Sequence, residues 1–194
     1  MSTMKLVIMT KSTFFVEEDK IITTLFEEGM TNLHINKPES SPLYCERLLS
    51  LLPECYYNKI TVHEHYYLKT EYGLEKIHID SPVDNIPEGY KGKISRTCNA
   101  IEELKDAKKH SEYVFLNESK LSTDELESAA DKGFIDRHVY ALGEITLDNI
   151  KMFKDLGFGG VVVRSDLWNK FDIHRDTDYK SLINHFGKIK KMFY

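Results

Sequence analysis

The stretch from His138 to Trp168, HVYALGEITLDNIKMFKDLGFGGVVVRSDLW, constrains the fold more than any other, because it holds one complete strand–helix–strand step. Val139-Tyr140-Ala141-Leu142 is a short apolar run ended by Gly143. Thr146 then stands where a helix N-cap belongs, ahead of Leu147 to Leu156, and Gly157 stops that helix. Gly160-Val161-Val162-Val163 follows at once, β-branched and uninterrupted, as befits a strand buried on both faces. Two parallel strands with their helix fit in about thirty residues, the usual span of such a unit. A chain built from these steps gathers its ligands at the carboxyl ends of its strands.

The step recurs. Lys5 to Met9 reads as a first strand, and Glu17 to Glu28 as a helix with Ile21, Ile22, Leu25 and Phe26 on one face, stopped by Gly29. Asn32 to Ile35 is the second strand; Ser41 and Pro42 open a helix that continues over Leu43 to Leu52. Lys59 to Val62 is the third strand, Tyr67 to Tyr72 a short helix closed by Gly73, and Lys76 to Ile79 the fourth strand. A loop with Pro82, Pro87 and Gly89 leads to a weak fifth strand, Lys93 to Ser95, and a helix over Ala100 to Ala107. Tyr113 to Leu116 is the sixth strand. Ser122 or Thr123 caps the next helix, with Glu125 placed to support the cap and Gly133 to end it. Strands seven and eight lie in the opening stretch, and Tyr179 to Phe193 is the closing helix. Eight strands alternating with helices predict a parallel α/β fold; the period alone leaves a closed barrel and an open sheet both standing.

No composition shift divides the 194 residues, so one domain is expected. A (β/α)8 barrel of this length needs brief loops, since such barrels typically run to about 250 residues. A net charge of −5 with 29% charged residues gives no sign of a nucleic-acid surface, and Lys188, Lys190 and Lys191 read as the solvated face of a last helix. No apolar run approaches the roughly 18 residues of a membrane span, and Met1 to Thr10 has no signal-peptide core. Cys45, Cys55 and Cys98 lack C-x-x-C spacing, which favours free thiols in a reducing cytoplasm.

The residues just after each strand are the candidates for chemistry. Gly143 and Ser165 stand where many barrels hold a phosphate on backbone N–H groups, although Glu144 adds a negative charge there and Gly143 could simply turn the chain. His63-x-His65 puts two imidazoles on one side of a strand, with Glu64 opposite. With His34 and His78 also at strand ends, a metal cluster and a rim of packed or solvated imidazoles are both open. Cys98 is either a nucleophile or a packed thiol, with no neighbouring His visible to activate it.

Six segments, in order and covering nearly the whole chain, resemble the thiamine phosphate synthase family, including its thiazole tautomerase branch. They are Leu33-His34-Ile35-Asn36-Lys37-Pro38, Val62-His63-Glu64-His65, Gly73 to Ile79, Ile94-Ser95-Arg96-Thr97-Cys98-Asn99, Ala141-Leu142-Gly143-Glu144-Ile145-Thr146 and Gly157 to Val163. The resemblance implies a single-domain (β/α)8 TIM barrel. It also implies a reaction joining hydroxymethylpyrimidine diphosphate to thiazole phosphate with release of pyrophosphate, magnesium sitting on the diphosphate. His63 and Glu64 fall on the family's Asn-Asp pair, whose Asp holds magnesium, and Asp80 lies near the second metal carboxylate. Thr97 and Cys98 occupy the hydroxyl-bearing positions on the diphosphate side. His34, Asn36, Lys37, His78, Thr97, Gly143, Glu144, Arg164 and Ser165 are the expected binding residues; His63, Lys120 and Cys98 are the expected catalytic ones. The implied partner is a small phosphorylated heterocycle, and a homodimer stays open.

Four positions depart from the family. Asn36 replaces the Arg that holds the diphosphate. The loop after strand six shrinks to Asn117-Glu118-Ser119-Lys120, where Lys120 alone could meet the pyrophosphate. Glu144 replaces the second Gly of the phosphate turn, and Asn99 replaces the tautomerase His. These leave three readings: a synthase-like transferase with altered activity, an isomerase using His63, His65 or His78 as base, or a non-catalytic barrel that senses a metabolite or pairs with an active paralogue.

Overall fold

Alternation inside each strand decides where its side chains go, because successive residues face opposite sides of the sheet. Leu33 and Ile35, Ile60 and Val62, Ile77 and Ile79, and Ile94 and Cys98 join one large apolar cluster with the helices, while His34, Thr61, His78, Ser95 and Thr97 turn the other way. In the computed structural model, which describes residues 4–81 and 85–193, the strands close into an all-parallel barrel in chain order. They are β1 (Lys5–Met9), β2 (Leu33–Ile35), β3 (Ile60–Val62), β4 (Lys76–Ile79), β5 (Ile94–Cys98), β6 (Tyr113–Asn117), β7 (Val139–Leu142) and β8 (Gly160–Val163). β1 pairs with both β2 and β8, Ile8 standing opposite Leu33 and Val163, so the fold is the (β/α)8 barrel and not an open sheet. Around it run α1 (Glu18–Glu27), α2 (Pro42–Leu51), α3 (Tyr67–Tyr72), α4 (Leu104–Lys109), α5 (Thr123–Asp131), α6 (Ile150–Asp155), α7 (Ser165–Trp168) and α8 (Lys180–Lys190).

The barrel interior is divided. Val7, Met9, Tyr113, Phe115, Tyr140 and Val162, from β1 and β6 to β8, form a second apolar cluster. Tyr113 and Tyr140 stack with ring centroids 4.5 Å apart, and a Cβ on Gly160 would come within 2.6 Å of the Tyr140 ring, so glycine is what leaves room for that stack. The inward positions of β2 to β5 are polar instead: His34, Thr61, Lys76, His78, Ser95 and Thr97, all buried.

Three expectations are corrected. The fifth strand does not stop at Ser95 but runs to Cys98, buried throughout. Ser95 and Thr97 take the inside, where the single imidazole of His78 bonds both hydroxyls, and Arg96 donates to the Ser81 carbonyl at 3.1 Å. Thr146 is not a helix N-cap. Residues 146–149 make a separate turn, with the Thr146 N–H bonded to Asn149 Oδ1 at 2.8 Å, and α6 starts only at Ile150. The helix expected from Ala100 opens as a 3-10 turn, Ile101–Glu103, before α4. Ser122 does cap α5, in a reciprocal box with Glu125. Pro82 of the expected loop lies outside the described residues.

Candidate functional site at the barrel mouth

Three side chains link β8, β2 and β3 across the carboxyl end of the barrel. Arg164, directly after β8, donates from Nε to the Thr10 carbonyl at 2.8 Å and from a terminal nitrogen to Asn36 Oδ1 at 2.9 Å. Asn36 passes the link on, its amide nitrogen lying 3.1 Å from Glu64 Oε1, while the Lys37 backbone N–H bonds Glu64 Oε2 at 2.9 Å. Burial pushes the Glu64 carboxyl up, and the negative charge of Asp80 pushes the same way, against the Lys37 N–H and His63. Burial lowers the Arg164 guanidinium, with Glu64 and Asp80 drawing it back up. A cation now fills the mouth position where Asn36 had seemed to leave none.

Below the mouth lie the histidines. His63 Nδ1 faces both oxygens of Asp80, at 2.9 and 3.1 Å; its Nε2 meets His34 Nδ1 at 2.8 Å; and His34 Nε2 meets the Tyr113 hydroxyl at 2.7 Å. His78 is held between Ser95 Oγ at 2.7 Å and Thr97 Oγ1 at 2.8 Å, and its ring stacks on His63 and Phe115. Burial, and then the neighbouring His63, hold His34 and His78 well below the usual imidazole range, so both stay neutral. Tyr113 and Ser95 were not among the sequence candidates. Their signal was there: each stands two residues before another inward residue, Phe115 and Thr97, on its own strand.

The turn after β7 is already engaged by a carboxylate. The Glu144 N–H donates to Glu118 Oε1 at 2.9 Å, and a Cβ on Gly143 would come within 2.3 Å of that same oxygen. Gly143 also has φ +153°, which L side chains rarely adopt. The Glu144 side chain is exposed. Asn99 Oδ1 accepts from Asn117 Nδ2 at 3.2 Å, tying the ends of β5 and β6 together.

Other expected residues stand elsewhere. Lys37 is fully buried, its ammonium bound to Glu18 and the Thr13 carbonyl and lying 4.5 Å from the centre of the Phe14 ring, so it faces the loop after β1 and not the mouth. His65 parts from His63 because β3 has ended: at φ 54° its ring turns to the Ser40 carbonyl, which leaves three clustered histidines instead of four. Cys98 points into the helical layer, where burial pushes its thiol up to about 12, removing the basis for a nucleophile. Lys120 is exposed on the 3-10 turn Glu118–Lys120, and Ser165 is exposed at the start of α7.

A closed parallel barrel whose carboxyl end carries two strand-end carboxylates, a bridging arginine and a glycine turn bonded to the Glu118 carboxylate places the chain among the (β/α)8 barrel proteins. No family model and no curated protein matches the chain. Among solved structures, a thiamine phosphate pyrophosphorylase from Bacteroides thetaiotaomicron is 49% identical, with 97% of each chain covered and a TM-score of 0.92. A thiamine phosphate pyrophosphorylase from Pyrococcus furiosus (15% identity, 97% and 98% covered, TM-score 0.71) and a tryptophan synthase α subunit from Legionella pneumophila (14%, 98% and 92%, 0.67) share the barrel. The chain belongs to the thiamine phosphate pyrophosphorylase family, the synthases that its sequence resembles.

Proposed function

We propose that the chain is a thiamine phosphate synthase-type transferase, coupling hydroxymethylpyrimidine diphosphate to thiazole phosphate and releasing pyrophosphate. The observation that carries this reading is Arg164 docked on Asn36. Negative charge grows on the departing diphosphate and must be met by cations placed beforehand. Arg164 restores across the barrel the positive fork that Asn36 lacks, and exposed Lys120 is free to approach from the loop after β6. Glu118 on the Glu144 N–H supports an anion site at the Gly143 turn, since a backbone donor that accepts a carboxylate suits a phosphate equally. Thiazole phosphate would displace Glu118 there. Thr97, bonded to His78, offers a hydroxyl on the diphosphate side.

Magnesium fits the residues present. Glu64 and Asp80 offer hard oxygen donors, and burial, with the neighbouring Asp80 charge, disfavours the Glu64 carboxylate in a way that a bound dication would offset. When bound, it would supply charge neutralisation for the diphosphate; the chain's own part is to orient that group with Asn36 and Arg164. An isomerase base finds less support, because both nitrogens of His78 are held by hydroxyls and His65 lies against the loop before α2. No helix among the described residues is long and apolar enough to cross a membrane. Cys45, Cys55 and Cys98 are free, which suits a reducing cytoplasm. A homodimer stays open; its interface we assign to the face bearing the exposed Val16, Leu43, Tyr44 and Leu51, testable by light scattering of Leu43→Glu.

The test is direct. Purified protein with both precursors and Mg2+ should form thiamine phosphate and pyrophosphate in equal amounts. Absence of product, together with no calorimetric binding of either precursor or of thiamine phosphate, would remove the transferase and leave the metabolite-independent, paralogue-pairing reading.

A further inference from the structure

The reaction proposed above assigns no proton transfer to the imidazoles inside the barrel. His34, His63 and His78 come from three neighbouring strand ends, are at most 3% exposed, and each brings a ring nitrogen within 4.8 Å of the other two. We propose that they form a site for one divalent transition-metal ion of the imidazole-seeking kind, such as Zn2+ or Co2+, with a ligand set different from the oxygen donors offered to magnesium, although Asp80 adjoins both.

The donor chemistry points that way, since imidazole nitrogen suits zinc and cobalt while magnesium selects oxygen. The outer partners are also in place. Histidines on a metal are oriented through their second nitrogen, and here His34 Nε2 has the Tyr113 hydroxyl while His63 Nδ1 has Asp80. Whichever nitrogen of His78 turns to the ion, the other keeps a hydroxyl, Ser95 or Thr97.

The rearrangement is small. His34 Nδ1 and His63 Nε2 now share a hydrogen at 2.8 Å. Zinc–nitrogen bonds of about 2.0–2.1 Å in a tetrahedron require about 3.3 Å between nitrogens, so this pair opens by about half an ångström. His63 and His78, stacked at 4.1 Å, tilt so that their lone pairs converge. Asp80, whose side chain is half exposed, stands between the cluster and solvent and gives the ion its way in. The fourth position is left to water.

Chelator-stripped protein, with no thiamine precursor present, is titrated with Co2+ alone and analysed for bound metal after equilibrium dialysis. One equivalent retained, with the intense visible bands of a low-coordinate cobalt centre and displacement by Zn2+, is the expected result. His34→Gln, His63→Gln and His78→Gln should each weaken retention at least tenfold, while His65→Gln and His174→Gln leave it unchanged. Because a core variant could misfold, imidazole nitrogen NMR of the unmodified protein provides a second reading: Zn2+ should shift three histidine ring signals together. No retained cobalt, only the weak spectrum of the hydrated ion, equal retention by the three core variants, or unmoved ring signals would overturn the proposal. None of these readouts depends on transferase activity, so failure here is distinguishable from failure of that reading.

Discussion

Asn36 and Arg164 are best understood as one unit. At the end of β2 an asparagine stands where the resemblance called for a fixed cation, and the guanidinium that meets it arrives from the end of β8. Replacing Arg164 with Ala should weaken binding of magnesium pyrophosphate by about 1.5–3 kcal/mol, the usual worth of hydrogen bonds to a charged group, which is about 10- to 100-fold. Adding Asn36→Arg to that variant should recover part of the loss. Calorimetry decides it, and unchanged affinity in Arg164→Ala would mean that the guanidinium serves only the fold. Sequence alone placed Arg164 and Asn36 at one rim but could not pair them, because they are far apart in the chain and meet only when β1 lies between them. Lys37 shows the opposite limit: as a lysine beside the mouth it read as a phosphate ligand, yet it is fully buried against Glu18. Nothing local distinguishes a buried ion pair from an exposed ligand.

At the scale of elements, the short strands were legible wherever isoleucine, leucine or valine marked the outward face, as in β4, read from Lys76 to Ile79 without error. β5 was cut short because its inward residues are hydroxyls and its middle residue is Arg96, a pattern that resembles a loop until the polar half of the barrel interior is known. The same polar interior explains why Tyr113 and Ser95 were missed as partners of the histidines. Helix starts were legible where a side chain closes the cap. Ser122→Ala should cost about 1 kcal/mol, within the 0.5–2 kcal/mol usual for such caps, measured by urea unfolding. A change under about 0.2 kcal/mol would mean that the box adds nothing to α5. Thr146 misled because its turn is closed by Asn149 instead of by its own hydroxyl.

For the molecule as a whole, the buried histidines set a dependence on acidity. His34 and His78 stay neutral in the folded chain but take up protons near 6.5 when it unfolds. Below about pH 6.5 the unfolded state therefore binds more protons, and stability falls with falling pH by about 1.4 kcal/mol per unit for each histidine. Glu18 and Glu64, both raised by burial, act in the opposite direction in the range above 4.5. Comparison with His34→Gln isolates the imidazole: in metal-stripped protein unfolded at about pH 7.5 and 5.5, the variant should lose about 1.4 kcal/mol less stability between the two, an average slope lower by about half a proton. Identical slopes would show that His34 is protonated within the fold.

The closure of the barrel also has a temporal side. Glu64 and Asp80 emerge in the first half of the chain, but Arg164 reaches Thr10 and Asn36 only after β8 has slotted in beside β1. A growing or truncated polypeptide ending before that seam is sewn carries the acids without their counter-cation, and so would repel the diphosphate that the proposed function requires. Under the proposed function, affinity for diphosphate would double as a certificate that the last strand has arrived.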